Sequence, residues 1–281
     1  MTIGNKKFDF KNHTYVMGII NVTPDSFSDG GTAFSLEAVI DRAEELIKDG
    51  VDILDIGGES TRPGAEPVSA EEEIKRIIPA VFALSNMFDV PISVDTYKAE
   101  VAEKALEAGA AMINDVYGLR DYVGTKNNMA SVVAEYGCPV CLMQGCELFD
   151  EKPEKSSPEN VMKDVIYGLT ESIEIARRAG ISEDKIILDP GIGFGKDFEA
   201  NLKALSLLEK LKIEDYPMLL GASRKSVIGM TLGLPSGERM EGTLATTAAA
   251  VNAGYGIVRV HDVKENVRFI KMYETILKYK G

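Results

Sequence analysis

Residues 43–56 read AEELIKDGVDILDI, and this stretch decides the fold. Its first half is rich in Ala, Glu and Leu, which favour a helix, and Gly50 supplies the left-handed stop on which helices commonly end. Ile53-Leu54-Asp55-Ile56 then forms a short aliphatic run that is continuous rather than alternating, as expected of a parallel strand covered on both faces. The same phrase returns at 102–109 before Met112-Ile113-Asn114-Asp115, and at 175–180 before Ile186-Ile187-Leu188-Asp189. It returns again at 248–254 before Ile257-Val258-Arg259-Val260-His261. The repeated unit is helix, glycine, buried strand.

Adding Tyr15–Asn21, Ile92–Asp95, Val140–Met143 and residues 218–221 brings the strand candidates to eight, each followed by a helical pattern. That tally predicts an α/β protein with the (β/α)8 TIM barrel architecture. A doubly wound open sheet would use about five or six strands and a G-x-G-x-x-G turn after the first, and no such turn stands there. The 281 residues suit one barrel of about 250, and no Ser/Pro/Gly linker divides them. The reading is a single domain over residues 1–281, with the polar, proline-containing stretch 145–160 as a loop after the fifth strand.

Lys plus Arg number 31 against 44 Asp plus Glu, a net charge of −13, which repels nucleic-acid backbones and anionic membrane surfaces. A small phosphorylated ligand is still allowed, because a few local cations or a helix start can hold one phosphate. No apolar run reaches the ~18 residues of a membrane span, and the start carries no signal-like apolar segment. Three cysteines are too few for a disulfide framework, so a cytoplasmic, reducing setting is expected. Cys138-Pro139-Val140-Cys141 spells C-x-x-C, but it runs into a strand, where an offset of three sends the two sulfurs to opposite faces. Both are expected to be buried and inert.

In a barrel the chemistry gathers where strands end. Here those positions hold Asn21, Asp55 or Glu59, Asp95, Asn114 or Asp115, Gln144, Asp189, Ser223 to Lys225, and Arg259 with His261. Carboxylates and amides in such a ring suit a flat heterocycle with several N–H donors. The first strand leads into NVTPDSFSDGG (21–31) and the second into GGESTRPGA (57–65), loops composed like lids. Asn21, Asp25 and Asp29 offer oxygen donors suited to Mg²⁺, and Phe27 is an aromatic side chain in a polar loop. Gly221-Ala222-Ser223-Arg224-Lys225-Ser226 opens a helix with a cation and a hydroxyl, a seat for a carboxylate or phosphate. Arg259 and His261 are two apart on one strand and are expected to share a face. With only His13 and His261 in the chain, a histidine-rich zinc site cannot be built.

Together MGIINVTPDSFSDGG (17–31), DILDIGGESTRPGA (52–65), ISVDT (92–96), MINDV (112–116), ILDPGIGFGK (187–196), GASRKSVIG (221–229) and RVHDV (259–263) resemble the dihydropteroate synthases, in the family's order and over most of the chain. The resemblance implies a transferase of folate and tetrahydrofolate biosynthesis that joins 6-hydroxymethyl-7,8-dihydropterin diphosphate to 4-aminobenzoate, with Mg²⁺ as cofactor and a homodimer as assembly. It implies that Asp95, Asn114, Asp189 and Lys225 hold the pterin, with Arg259 across its face. Arg259, His261, Thr61 and Asn21 would hold the diphosphate, and Asn21 would also ligate the metal. Phe194, Pro63, Phe27 and Ser226 would wall the aminobenzoate pocket, and Asp25 and Arg62 would lie on the loops that cover it. Asp95, Lys225 and Arg259 are the expected catalytic residues.

The family commonly carries Met-His-Met before Gln/Arg-Gly after the fifth strand, whereas this chain reads Cys141-Leu142-Met143-Gln144-Gly145, which we read as two residues short. Three other readings compete. Methyltetrahydrofolate methyltransferases share the pterin-facing Asp and Asn but have no need for the Thr-Arg-Pro-Gly loop or Ser-Arg-Lys-Ser. Lys225 could form a Schiff base as in some barrel aldolases. A silent paralogue would bind pterin without turnover.

Overall fold

Alternation along a strand sends every second side chain to one face, and in a closed sheet those two faces are the barrel interior and the helical shell. The computed structural model describes residues 1–23, 35–60, 67–120, 128–145 and 155–279. A short antiparallel hairpin, β1 (Thr2–Ile3) and β2 (Lys6–Lys7), precedes the sheet. The barrel strands are β3 (Tyr15–Asn21), β4 (Ile53–Gly57), β5 (Ile92–Asp95), β6 (Met112–Asp115), β7 (Val140–Met143), β8 (Ile186–Asp189), β9 (Leu219–Leu220) and β10 (Ile257–Val260).

These eight strands are parallel in the order β8-β7-β6-β5-β4-β3-β10-β9. The ring closes through the bridge between Leu188 and Met218, with Leu188 N–H donating to Pro217 O at 2.9 Å. The expected (β/α)8 barrel is what the chain forms. The seventh strand is shorter than the expected residues 218–221: Met218 forms the closing bridge, its carbonyl also accepting from the Gly256 and Ile257 N–H groups, and Gly221 lies past the ladder.

The helices are α1 (Leu36–Lys48), α2 (Ala70–Met87), α3 (Ala99–Glu107), α4 (Met129–Tyr136), α5 (Val161–Ala179), α6 (Phe198–Ser206), α7 (Ser226–Leu232), α8 (Met240–Asn252) and α9 (Val263–Lys278). Ser35, Ser69, Asn128 and Asp197 cap α1, α2, α4 and α6 through their side chains. Outward residues such as Val16, Ile56, Val94, Leu142, Leu188 and Val258 meet Val39, Ile77, Leu84 and Leu169 of the shell in the main core. Inward residues Met17, Ile53, Met112, Cys141, Ile187, Leu219 and Ile257 form a second core that fills the barrel floor.

The N-terminal segment, which carried no strand signal, closes that floor. Ile3 and Phe8 pack against the inward layer at 0% and 2% exposure. The two cysteines divide as the strand offset required: Cys138 belongs to the outer core and Cys141 to the inner one. Burial pushes the Cys138 thiol up to about 11 and raises Cys141 well above its ordinary value, so neither is a ready nucleophile. Cys146 lies outside the described residues. Among the described residues no helix is long and apolar enough to cross a membrane.

Candidate active site

Above the apolar floor the inward positions of five strands are polar, giving Asp55, Ser93, Asn114 and Asp189, with Arg259 on the last strand, while β3 and β7 present Ile19 and Met143. Arg259 is the hub. Its Nε donates to Asp55 Oδ2 at 2.5 Å and its Nη2 to Asp95 Oδ2 at 2.6 Å. One guanidinium therefore serves two carboxylates, while Asp55 Oδ1, Asp95 Oδ1 and Ser93 Oγ are buried without a hydrogen-bond partner among the described residues. Buried acceptors in this state call for donors from outside the protein. Burial pushes the Asp95 carboxyl up to about 7; Arg259 opposes the rise and neighbouring Asp55 adds to it.

Across the mouth, Asp189 Oδ1 accepts the Gly191 N–H at 2.8 Å, and its carboxyl is raised by burial against the attraction of Lys225. Lys225 caps the start of α7, its ammonium 4.4 Å above the Phe194 ring and donating to Ile192 O. Burial draws Lys225 down to about 8, with Asp189 holding it up. Asn114 is buried beside Asp95 in the β5–β6 register. Between Asn114 and Asp115 the structure selects the first: Asp115 accepts from Tyr117 N–H at 2.9 Å and Leu119 N–H at 2.7 Å and serves the following turn. Between Asp55 and Glu59 it selects Asp55 for the barrel interior. Glu59 instead pairs with Lys98, which also holds Glu73 at 2.6 Å, and accepts from Tyr97 Oη at 3.0 Å.

His261 lies just past the end of β10, its Nδ1 3.0 Å from Ser223 Oγ, and its backbone N–H donates to the same oxygen at 3.2 Å. Arg224, the other cation of the Ser-Arg-Lys-Ser stretch, turns away to Asp262, with Nε to Oδ2 at 3.0 Å. Ser226 is exposed in the first turn of α7. Asn21 closes β3. A Cβ built on the neighbouring Gly57 would lie 3.9 Å from Asn21 Oδ1 and 3.8 Å from Asp95 Oδ2, so the glycine leaves an open notch between two oxygens. Asp25, Phe27, Thr61, Arg62 and Pro63 lie outside the described residues.

The β7 end corrects the sequence reading. Val140 to Met143 pair residue for residue with Ile186 to Asp189, and Cys141 to Gly145 are five residues, as many as Met-His-Met-Gln-Gly, so the stretch is not two residues short. Met143 stands at the mouth in a cluster with Tyr97, Val116 and Tyr117, against which Phe194 packs. The chain departs from the family pattern by what Cys141 and Leu142 are, and the methionine is in place. Gln144, named only as a strand-end residue, is buried and fixed: its N–H donates to Asp189 O at 3.0 Å and its Oε1 accepts from Lys196 at 2.5 Å. Lys98 and Lys196 are buried partners that strand-end reasoning did not name, whereas Asp55 stood among its candidates but was not carried into the expected substrate-binding set.

Such a site offers buried acceptors for ring N–H groups, a cation beside them and an aromatic wall. The model for the pterin-binding enzymes matches residues 17–261. The chain is 49% identical to the dihydropteroate synthase of Clostridium beijerinckii, covering 99% of this chain and 100% of that one. A solved dihydropteroate synthase from Clostridium difficile, crystallised in the presence of pteroic acid, superposes with a TM-score of 0.89 at 47% identity, covering 98% of this chain and 100% of that one. The Xanthomonas albilineans enzyme with 4-aminobenzoic acid gives 0.87 at 40% identity, covering 95% and 94%. The chain belongs to the dihydropteroate synthase family of pterin-binding transferases.

Proposed function

We propose that the barrel mouth condenses 6-hydroxymethyl-7,8-dihydropterin diphosphate with 4-aminobenzoate, giving 7,8-dihydropteroate and diphosphate in folate biosynthesis. The observation that carries this reading is the pair of buried, unpartnered carboxylate oxygens on Asp55 and Asp95, beside a single guanidinium. A pterin ring supplies the N–H donors those oxygens lack, and Asn114 can donate and accept at the same edge. Asp189 and Lys225 form an opposite-charge pair for the other edge of the ring. Arg259 is assigned to the ring face and, with His261 and Thr61, to the diphosphate. Phe194 is assigned to the aminobenzoate, together with Pro63, Phe27 and Ser226 and with Asp25 and Arg62 nearby.

The reaction then needs no side-chain nucleophile. The bond from the pterin methylene to the diphosphate oxygen breaks, and its electron pair leaves with the diphosphate. The ionised form of Asp95 stabilises the positive charge spread over the ring, in a site where water does not screen it. The aniline lone pair forms the new C–N bond, and the nitrogen then releases its proton to the departing diphosphate or to solvent. Lys225 donates to Ile192 O and lies over Phe194, which supports an ordinary binding cation over a Schiff-base former.

Among the described residues no cluster of three His, Cys, Asp or Glu could hold a metal. Asn21 Oδ1 beside the Gly57 notch nevertheless fits Mg²⁺, which takes few protein ligands and fills the rest with water and phosphate. Asn21 would hold the ion, and when bound there it would neutralise charge on the departing diphosphate. We further assign one barrel domain over residues 1–281, a cytoplasmic setting supported by the buried free thiols of Cys138 and Cys141, and a homodimer. The exposed Leu202, Met230 and Leu232 on neighbouring helices α6 and α7 give a second copy apolar surface to cover.

The deciding experiment measures dihydropteroate and diphosphate formation with and without Mg²⁺, for wild type and Lys225→Ala. Metal-dependent product that the substitution abolishes is expected. Tight pterin binding without product would identify a silent paralogue, and neither binding nor turnover would overturn the reading.

A further inference from the structure

Ile192 to Lys196 follow β8 in a loop whose glycines alternate with larger residues. Gly191, Gly193 and Gly195 take φ of +67°, +87° and +56°, conformations that side-chain-bearing residues rarely adopt. A Cβ at Gly191 would lie 1.9 Å from Gln144 O, so the loop backbone lies directly on the end of β7. Gly145 continues that seat, since a Cβ there would come within 3.8 Å of Phe194 Cβ.

Under this loop lies Lys196, 5% exposed. Its ammonium donates to Gln144 Oε1 at 2.5 Å, to Gly191 O at 2.9 Å and to Phe194 O at 3.0 Å. Three oxygens match the three donors of an ammonium. Two belong to the loop and one to the strand end, so one cation ties the Phe194 backbone to β7. Asn201 holds the lysine's own backbone: its Nδ2 donates to Lys196 O at 3.2 Å while its Oδ1 accepts the Gly193 N–H at 2.6 Å. Burying an ammonium is costly where an aliphatic side chain could fill the same volume, so the charge at this place answers to geometry rather than to packing.

We infer that Lys196 is a positioning residue for the aryl-amine half of the reaction: by pinning the backbone of Phe194 to Gln144, it fixes the wall against which the amine substrate is held. The inference rests on the proposed synthase reading and adds a residue to it. Phe194 is then held twice, by Lys225 over its ring and by Lys196 through its carbonyl. Lys196 reaches the amine substrate through Phe194, and its charge also acts on the Asp189 carboxyl.

The test is steady-state kinetics on Lys196→Met, Phe194→Ala and the double variant, varying each substrate in turn. Lys196→Met is expected to raise KM for 4-aminobenzoate about tenfold, as a displaced wall does, and to leave KM for the pterin diphosphate within about twofold. In the Phe194→Ala background the same change is expected to add less than about twofold, because the residue it acts through is gone. Equal rises in both KM values, or full additivity with Phe194→Ala, would overturn the inference. Gln144→Leu removes the strand-side acceptor, and the same split and non-additivity are read from it if Lys196→Met does not fold. Wild-type protein that makes no dihydropteroate would overturn the functional reading itself, whereas active wild type with an unsplit KM overturns only the role of Lys196.

Discussion

Asp55 and Asp95 stand on neighbouring strands β4 and β5 and divide one guanidinium between them, each keeping a second oxygen buried and unpartnered. Two carboxylates against one fixed cation leave the cluster short of positive charge, which is the condition a cationic or N–H-rich guest relieves. The shortage also sets a pH dependence. An unfolded aspartate loses its proton near about 3.9, whereas the Asp95 carboxyl in the fold keeps it up to about 7. Between those values the folded state binds more protons than the unfolded one, so this group's contribution to stability is intact below about pH 4 and declines as pH rises to about 7. Asp95→Asn removes that slope. Unfolding free energies of wild type and variant from urea denaturation, compared from pH 4 to 7.5, should diverge steadily in the variant's favour, by on the order of a few kcal/mol at the upper end. Parallel curves would contradict the account.

Lys98 is the sole cation bonded to both Glu59 and Glu73 among the described residues, with exposures of 8%, 5% and 1% for the three side chains. Replacing it by Met leaves two buried carboxylates facing each other, a loss of about 3–5 kcal/mol by urea denaturation. Burial already raises the Glu73 carboxyl against the pull of Lys98. Glu73→Gln in the Lys98→Met background should therefore recover part of the stability, and a double variant no more stable than Lys98→Met would show that the carboxylate charge is not the cause.

The barrel was legible because its strand signal repeats. The aliphatic runs ending at Asn21, Asp95, Asp115 and Asp189 stop where the observed strands stop, and their inward carboxylates and amides follow from alternation. The hairpin at Thr2–Ile3 and Lys6–Lys7 was not legible, since two-residue strands have no period and their reason to form is the apolar floor above them. Lys98 and Lys196 were missed for a different cause. A lysine in sequence reads as a solvated charge, and only the closed ring brings Glu73, 25 residues away, and Gln144, 52 residues away, within reach of an ammonium. Asp115 illustrates the converse, a strand-end acid whose position suggested the site but whose oxygens are spent on Tyr117 and Leu119.

Gly191→Ala tests whether the loop path after β8 is obligatory. The position has φ +67°, and the added carbon would meet a backbone oxygen, which cannot swing aside as a flexible side chain can. Either the loop or the end of β7 must move, and both carry groups of the site: Asp189 accepts from the Gly191 N–H, and Phe194 lies three residues on. Dihydropteroate formation is expected to fall about 100-fold or more, the scale of an ångström-size misplacement. Gly137→Ala is the control, since nothing lies within 4 Å of a Cβ there although its φ is also positive, +57°. It should cost stability alone, and similar activity losses in the two variants would show that backbone strain rather than the contact is responsible.

The opposite end of the barrel should separate stability from chemistry. Phe8 is 2% exposed and packs with Ile3 against Met17, Ile53 and Ile257, while its ring meets those of Phe10 and Tyr15 at centroid distances of 5.5 and 4.8 Å. Phe8→Ala opens a cavity under the floor, and the surrounding strands, tied into a closed ladder, cannot collapse into it. The expected loss is about 3–5 kcal/mol by urea denaturation. The polar layer of Asp55, Asp95 and Arg259 sits above the apolar floor and takes no hydrogen bond from the hairpin. At low temperature and without denaturant, kcat/KM for both substrates should therefore stay within about twofold of wild type, as expected where stability and catalysis occupy opposite faces of a barrel. A kcat/KM loss matching that of a mouth variant such as Gly191→Ala, in protein still folded by circular dichroism, would mean that the floor positions the site and that the two ends are not independent.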